Sequence, residues 1–180
     1  MANSHITLGY TVTGLLSLFV GSACGAAEPE DELKSATVLS FVRHSEWIQH
    51  AQAGPIVIGV VGRPSMIRTL RRTLDGKTAN SRSIRIVDAA ASAELNICQV
   101  VYLATENNKE LRNTLSGLRA SKALTIGESD RFLEYGGAVN LVIVDGHMSF
   151  EVSREALDRA GVSISSKLLR YGQMRARPPS

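Results

Sequence analysis

Residues 55–76 read Pro-Ile-Val-Ile-Gly-Val-Val-Gly-Arg-Pro-Ser-Met-Ile-Arg-Thr-Leu-Arg-Arg-Thr-Leu-Asp-Gly. The apolar run from Pro55 to Val61 has the length of a strand buried on both faces. Gly62 and Arg63 form a turn, and Pro64 stands at the first helical position, where its missing N–H is harmless. Ile67, Leu70 and Leu74 then share one helix face, and Gly76 ends the helix. A buried strand turning directly into an amphipathic helix is half of a βαβ unit, which implies a parallel sheet.

The same alternation continues to the right. A short strand is expected at Ser83–Val87, a brief helical or loop segment at Ala91–Leu95 and a third strand at Cys98–Leu103. Leu111, Leu115 and Leu118 mark a helix capped by Asn107 or Asn108. Ala123–Ile126 is a strand and Ser129–Tyr135 a short helix closed by Gly136-Gly137. Ala138–Val144 and His147–Val152 flank Asp145-Gly146, a strong hairpin signal. Ser153 caps a helix that ends at Gly161, and a last helical turn starts at Ser165 or Ser166. To the left, Pro29–Trp47 reads as a helix with acidic residues at its dipole-favoured start. Leu33, Ala36, Leu39, Phe41 and Val42 give it a broad apolar surface. Phe41 and Trp47 are read as structural, as aromatic residues on an apolar helix usually are. The fold expected is α/β: a single three-layer domain over residues 28–180, mainly a parallel sheet with an antiparallel C-terminal hairpin and helices on both faces.

Residues 1–27 hold no Lys, Arg, Asp or Glu, and Val12–Val20 is apolar. Small residues Gly21–Ala27 follow, then charge returns at Glu28. This is the layout of a cleaved signal peptide, with Gly25 and Ala27 suited to the cleavage point. The n-region is atypical, carrying His5 in place of Lys or Arg. The apolar run is too short to span a hydrocarbon core of about 30 Å. An alternative is acylation at Cys24, although Gly21 stands where a lipobox has Leu. The tail from Arg175 is expected to fray.

The 180 residues are 44% hydrophobic and 21% charged, inside the globular range. Aromatic residues make up 5% of the chain, which argues against a single-stranded nucleic-acid platform. The two cysteines support neither a disulfide scaffold nor a Cys-rich zinc site. Cys98 reads as a small buried strand residue.

Catalytic patterns are missing. Gly127-Glu128-Ser129-Asp130-Arg131 lacks the second glycine of a nucleophile elbow. Ser165-Ser166-Lys167 has no serine three residues before the lysine. His44, His50 and His147 have no zinc-ligand spacing. The turn from Gly59 to Pro64 lacks the third glycine and ribose-binding acid of a dinucleotide fingerprint. No enzyme, cofactor or metal is expected. Arg63, Arg68, Arg71 and Arg72 lie in one basic stretch. They form either a solvated helix face or a site for an anion such as a phosphate, a lipid headgroup or an acidic protein.

The order of several short strings carries a resemblance. They include Glu32-Leu33-Lys34-Ser35-Ala36 with Glu46-Trp47, then Ile58-Gly59-Val60-Val61-Gly62 and Gly76-Lys77-Thr78. Further on come Cys98-Gln99-Val100-Val101-Tyr102-Leu103, Thr125-Ile126-Gly127-Glu128-Ser129, Gly136-Gly137-Ala138-Val139-Asn140-Leu141, Phe150-Glu151-Val152 and Ser165-Ser166-Lys167-Leu168-Leu169. From about Glu32 to Met174 the chain resembles the YfiR-type family of periplasmic regulators of membrane diguanylate cyclases. It departs at Asn80-Ser81-Arg82, where the family commonly has an Asn-Gly-Arg turn, and at Ser153, where the family usually has Asn. Some members form disulfides; this chain keeps only Cys98 after a cut at Ala27.

The resemblance implies a non-enzymatic repressor that binds the periplasmic part of an inner-membrane diguanylate cyclase or similar signalling protein. It thereby controls cyclic di-GMP and biofilm formation. An outer-membrane lipoprotein is a further implied partner, a homodimer is left open, and nucleic acid is not expected. The expected partner contact is Ile164, Ser165, Ser166, Lys167, Leu168 and Leu169: apolar residues near the chain's end, with little left to cover them. Leu168 and Leu169 would otherwise close the core. The rival reading is a periplasmic sensor of a small anionic or nucleotide-like ligand.

Overall fold

The computed structural model describes residues 29–47, 54–89 and 92–175. The expected signal segment 1–27 with Cys24, His50, and the tail beyond Arg175 lie outside the described residues. In chain order the elements are α1 Pro29–His44, β1 Ser45–Trp47, β2 Ile56–Gly62, α2 Pro64–Leu74, β3 Thr78–Ala79, β4 Arg82–Asp88, α3 Ser92–Leu95 and β5 Val100–Ala104. There follow α4 Asn108–Gly117 with a 3-10 turn at Leu118–Ala120, β6 Leu124–Gly127, β7 Val139–Val144, β8 His147–Ser153, α5 Arg154–Ala160, β9 Val162–Ile164, α6 Ser166–Leu169 and β10 Gln173–Arg175.

Among the described residues the main sheet has eight strands in the order β10-β8-β7-β6-β5-β2-β4-β3. Its centre, β4-β2-β5-β6-β7, is parallel throughout. β7 and β8 form the expected antiparallel hairpin, with Val144 opposite His147. Asp145 and Gly146 both have positive φ, 50° and 76°, as a type I′ turn requires. The strand order reverses between β2 and β5, so helices cover both faces.

β2 shows why both faces must be covered. Ile56, Ile58 and Val60 enter one apolar cluster, shared with α1, α2 and α5. Val57 and Val61 point the other way, into a second cluster with Leu111, Leu115 and Leu118. This two-sided alternation along a continuous apolar strand is the three-layer architecture in miniature. The caps follow local chemistry. Asn107 accepts from the amides of Lys109 and Glu110, Ser153 accepts from Ala156, and Gly161 adopts the left-handed conformation after α5.

The structure corrects three expectations. Trp47 is not on the first helix: the helix ends at His44, and Ser45–Trp47 pairs antiparallel with Val162–Ile164. Ser129–Tyr135 is a chain of turns, not a helix. Phe132 is fully buried there, its ring held between Gly127 and Gly137. A methyl group at either glycine would lie within 2.2 Å of that ring, so seating Phe132 dictates the local path. The buried face of α1 also differs. It carries Asp31, Lys34, Ser35, Val38, Phe41 and Val42, while Leu33 and Ala36 face solvent.

Candidate functional site

Two regions gather polar or apolar groups beyond what packing needs. The first lies at the carboxyl ends of the parallel strands. β2 ends in Gly62-Arg63 and β6 in Gly127-Glu128, so the two side chains project from equivalent positions, with β5 between them. α1 lays its first turn across this edge. Arg63 Nη2 donates to Asp31 Oδ1 at 3.0 Å and to Glu128 Oε1 at 2.8 Å. Lys34 Nζ meets Glu128 Oε2 at 2.6 Å and Glu30 at 2.5 Å. The Tyr102 hydroxyl, rising from β5, donates to Glu128 Oε2 at 3.0 Å.

The inner members are buried, Asp31 2% exposed and Lys34 7%, while the Arg63 and Glu30 side chains reach solvent at 40% and 52%. Burial alone would lower the lysine's pKa, but its bonds to Glu128 and Glu30 outweigh that and raise it. Glu30 is held below the usual carboxylate value, chiefly by its hydrogen bond to Lys34. Burial pushes the Tyr102 phenol well up, reinforced by the Glu128 charge. These groups are therefore charged or, for the phenol, neutral at physiological pH. Among the described residues, buried Asp31 Oδ2 and Arg63 Nε have no hydrogen-bond partner, which fits a single one-pronged contact between them.

In open parallel sheets this edge is where ligands usually bind. Here the protein's own side chains fill it. Backbone closes the rest: the Arg63 amide donates to the Ala104 carbonyl at 2.9 Å. A methyl group on Gly62 would stand 2.1 Å from that carbonyl oxygen. Of the expected anion set, Arg63 thus faces two carboxylates. Arg72 pairs with Glu32 at 2.9 Å. Arg68 and Arg71 are exposed on α2, opposite buried Ile67 and Leu70. The structure does not bring the four together around one point.

The second region is the C-terminal segment. Ile164 is buried, opposite Ser45 in the β1–β9 ribbon. The Ser165 amide donates to the His44 carbonyl, and its hydroxyl caps α6 by accepting from Lys167 N. Ser166 and Lys167 are exposed. Leu168 and Leu169 are half-buried against the first core cluster, neither fully enclosed. Tyr171 follows, 78% exposed, and Gly172 lies flat on the Phe150 ring. The six residues run from core at Ile164 through exposed Ser166 and Lys167 to half-buried Leu168 and Leu169.

Beside this patch a cavity of about 530 Å³ opens between β1, the start of β2 and Ser165. Trp47 and Ile56 provide apolar walls, and Arg43 and Arg82 are cations on its lining. Ser45 and Trp47 are on its lining as well; their Oγ and Nε1 atoms are buried and have no hydrogen-bond partner among the described residues. Linear reading missed this cavity because it is built from β1, which pairs only with β9. It also missed the ionic network. The one sequence trace of that network is the stripe Asp31, Lys34, Val38 and Phe41, whose three- and four-residue steps match the buried helix face.

Among the described residues no group of three or more His, Cys, Asp or Glu is placed to hold a metal. No described helix is long and apolar enough to cross a membrane.

Comparison with known proteins adds the lineage. Among curated proteins, none matches the chain. Eight chains of solved structures do. One is the crystal structure of a conserved domain protein from Vibrio cholerae, with a TM-score of 0.55 and 13% identity. That match covers 80% of this chain and 59% of the Vibrio protein, so this chain spans little more than half of that protein's length. At that identity the likeness is one of fold. A family profile described as YfiR/HmsC-like matches residues 31–173, and the chain belongs to that family.

Proposed function

We propose that this YfiR/HmsC-like protein is a non-enzymatic periplasmic regulator. It binds the periplasmic part of an inner-membrane diguanylate cyclase, or a similar signalling protein, and represses it. Cyclic di-GMP and biofilm formation would rise on release. Family membership over residues 31–173 carries this reading. The half-buried Leu168 and Leu169, with exposed Tyr171 beside them, support the C-terminal patch as the contact. Regulation is then a binding equilibrium. An outer-membrane lipoprotein or a second copy of the chain can shift it only through differential affinity for the free and bound states.

The test is deletion of the gene in its native cell, followed by complementation. Deletion should raise cyclic di-GMP, and the wild-type gene should restore it. A variant that folds and is exported but carries Leu168→Asp should fail to restore it. Unchanged cyclic di-GMP on deletion would remove the repressor reading.

A second reading, a sensor of a small anionic ligand, is favoured by the cavity beside Trp47. Arg43, and what Arg82 does not spend on the Gly54 and Pro55 carbonyls, stand beside the Trp47 and Ile56 walls and suit a carboxylate or phosphate attached to an apolar body. Calorimetry with nucleotides and organic acids distinguishes the readings, since a sensor binds one of them stoichiometrically.

A further inference from the structure

At the edge opposite the ionic network, before β6 and β7 begin, two guanidinium groups converge. A methyl group at Gly136 would lie 3.4 Å from Arg159 Nη2 and 4.0 Å from Arg119 Nη2. Both head groups therefore face the same small volume. Arg159 is fixed there: Nη2 donates to the Gly136 carbonyl at 3.0 Å and Nη1 to Glu155 at 3.2 Å. Lys122 points elsewhere on the same surface, its Nζ donating to the Arg159 backbone carbonyl at 3.3 Å. Arg119 has no acidic partner among the described residues, so the two guanidiniums share one carboxylate, Glu155. Gly136 itself has φ +96°, a conformation that a side chain would strain.

Cations converging without carboxylates between them repel unless an anion or solvent intervenes. Between Arg119 and Arg159 lies a hollow of about 20 Å³, lined also by Ser121 and Thr125. That is room for about one water-sized group. Each guanidinium carries five N–H donors, and Arg159 spends two of them on Gly136 and Glu155.

We propose that Arg119 and Arg159 bind a terminal phosphate dianion, with one oxygen in the hollow and the others on the exposed donors. Two guanidiniums with several unspent N–H donors match a dianion with three free oxygens better than a carboxylate. Two sources present that group, free phosphate and the headgroup of a phosphomonoester lipid. The site lies apart from the C-terminal patch and does not depend on it.

Inorganic phosphate is titrated into the full exported chain at low salt and followed by calorimetry and NMR of the arginine side chains. The expected result is saturable one-site binding that shifts the Arg119 and Arg159 signals, with acetate weaker. Arg119→Gln should weaken phosphate by about tenfold or more, a loss of about 1.4 kcal/mol per factor of ten. Its melting temperature without phosphate should not change, because Arg119 holds nothing in the fold. Arg159→Gln should show the same loss of binding, and Arg68→Gln with Arg71→Gln none. Vesicles containing phosphatidic acid identify a lipid source if their capture also requires Arg119. Capture without that requirement, or none at all, leaves free phosphate as the ligand. The proposal is overturned if phosphate does not saturate the wild type, or if Arg119→Gln binds it as well as wild type does.

Discussion

Cys98 is 6% exposed, and its Sγ approaches the Glu94 carbonyl at 3.2 Å. Burial, with a smaller push from the Glu94 charge, raises its pKa to about 11 from an ordinary 9.0. The thiol should therefore resist alkylation in the native protein at neutral pH and react only on unfolding, as mass spectrometry after iodoacetamide treatment would show. A raised folded pKa adds stability that is complete below pH 9.0 and is lost as pH rises toward about 11. Cys98→Ala should flatten the alkaline limb of the stability curve. At Ser81 the prediction has the opposite sign. Asn80 and Ser81 both adopt positive φ, 51° and 61°, in the turn between β3 and β4. Glycine enters that region without strain, so Ser81→Gly should stabilise the protein by about 1 kcal/mol in urea melts. Gly127→Ala should do the reverse. Its methyl group meets the Phe132 ring, and overpacking of this kind costs about 1–3 kcal/mol.

At the scale of elements, α1 is stapled at both ends. Its first turn is held by Arg63 and Glu128, and its last residue by the Ser165 amide. Lys34→Met should destabilise by about 1–3 kcal/mol, because the Glu128 carboxylate loses one charged partner but keeps Arg63 and the Tyr102 hydroxyl. Combined with Glu128→Gln the loss should be smaller than the two single losses added, a coupling that a double-mutant cycle in urea measures. Lowering pH should loosen the same turn. Glu30 is held below 4.5, so its contribution is present above that value and is lost as pH falls through the depressed one. The segment from the end of β9 through α6 divides along its length. Ile164→Asp should unfold the protein, since that side chain is core. Leu168→Asp and Leu169→Asp should fold, with a lowered melting temperature, and raise cyclic di-GMP. If both fold and repress normally, the partner contact lies elsewhere.

For the whole molecule, the network at one end of α1 and the β1–β9 ribbon at the other join the start of the described chain to its C-terminal segment. Unfolding should therefore be a single cooperative transition by circular dichroism and tryptophan fluorescence, with Trp47 reporting the ribbon. Export can be checked on the same protein. Intact mass should place the mature N-terminus near Ala26–Glu28, just before α1. Retention of residues 1–20 would argue against export, and a lipid adduct on Cys24 would favour the lipoprotein version.

Local chemistry was enough for much of this fold. The apolar run at Ile56–Val61, the Asp145-Gly146 turn, the Asn107 and Ser153 caps and the left-handed Gly161 are each decided within a few neighbouring residues. Together they imply the parallel core and its antiparallel hairpin. Pairing across long distances in the chain was not legible. Arg63 and Glu128 are 65 positions apart, and they meet only because β2, β5 and β6 lie side by side. The three-residue strands β1 and β9 are too short to show a period, so Trp47 read as helix. Phe132 had helical neighbours but was drawn between two glycines by packing. Burial of Asp31 and Lys34 in place of Leu33 and Ala36 is the clearest case. A charge enters the interior only when its partner is already there, and the tertiary structure alone supplies that partner.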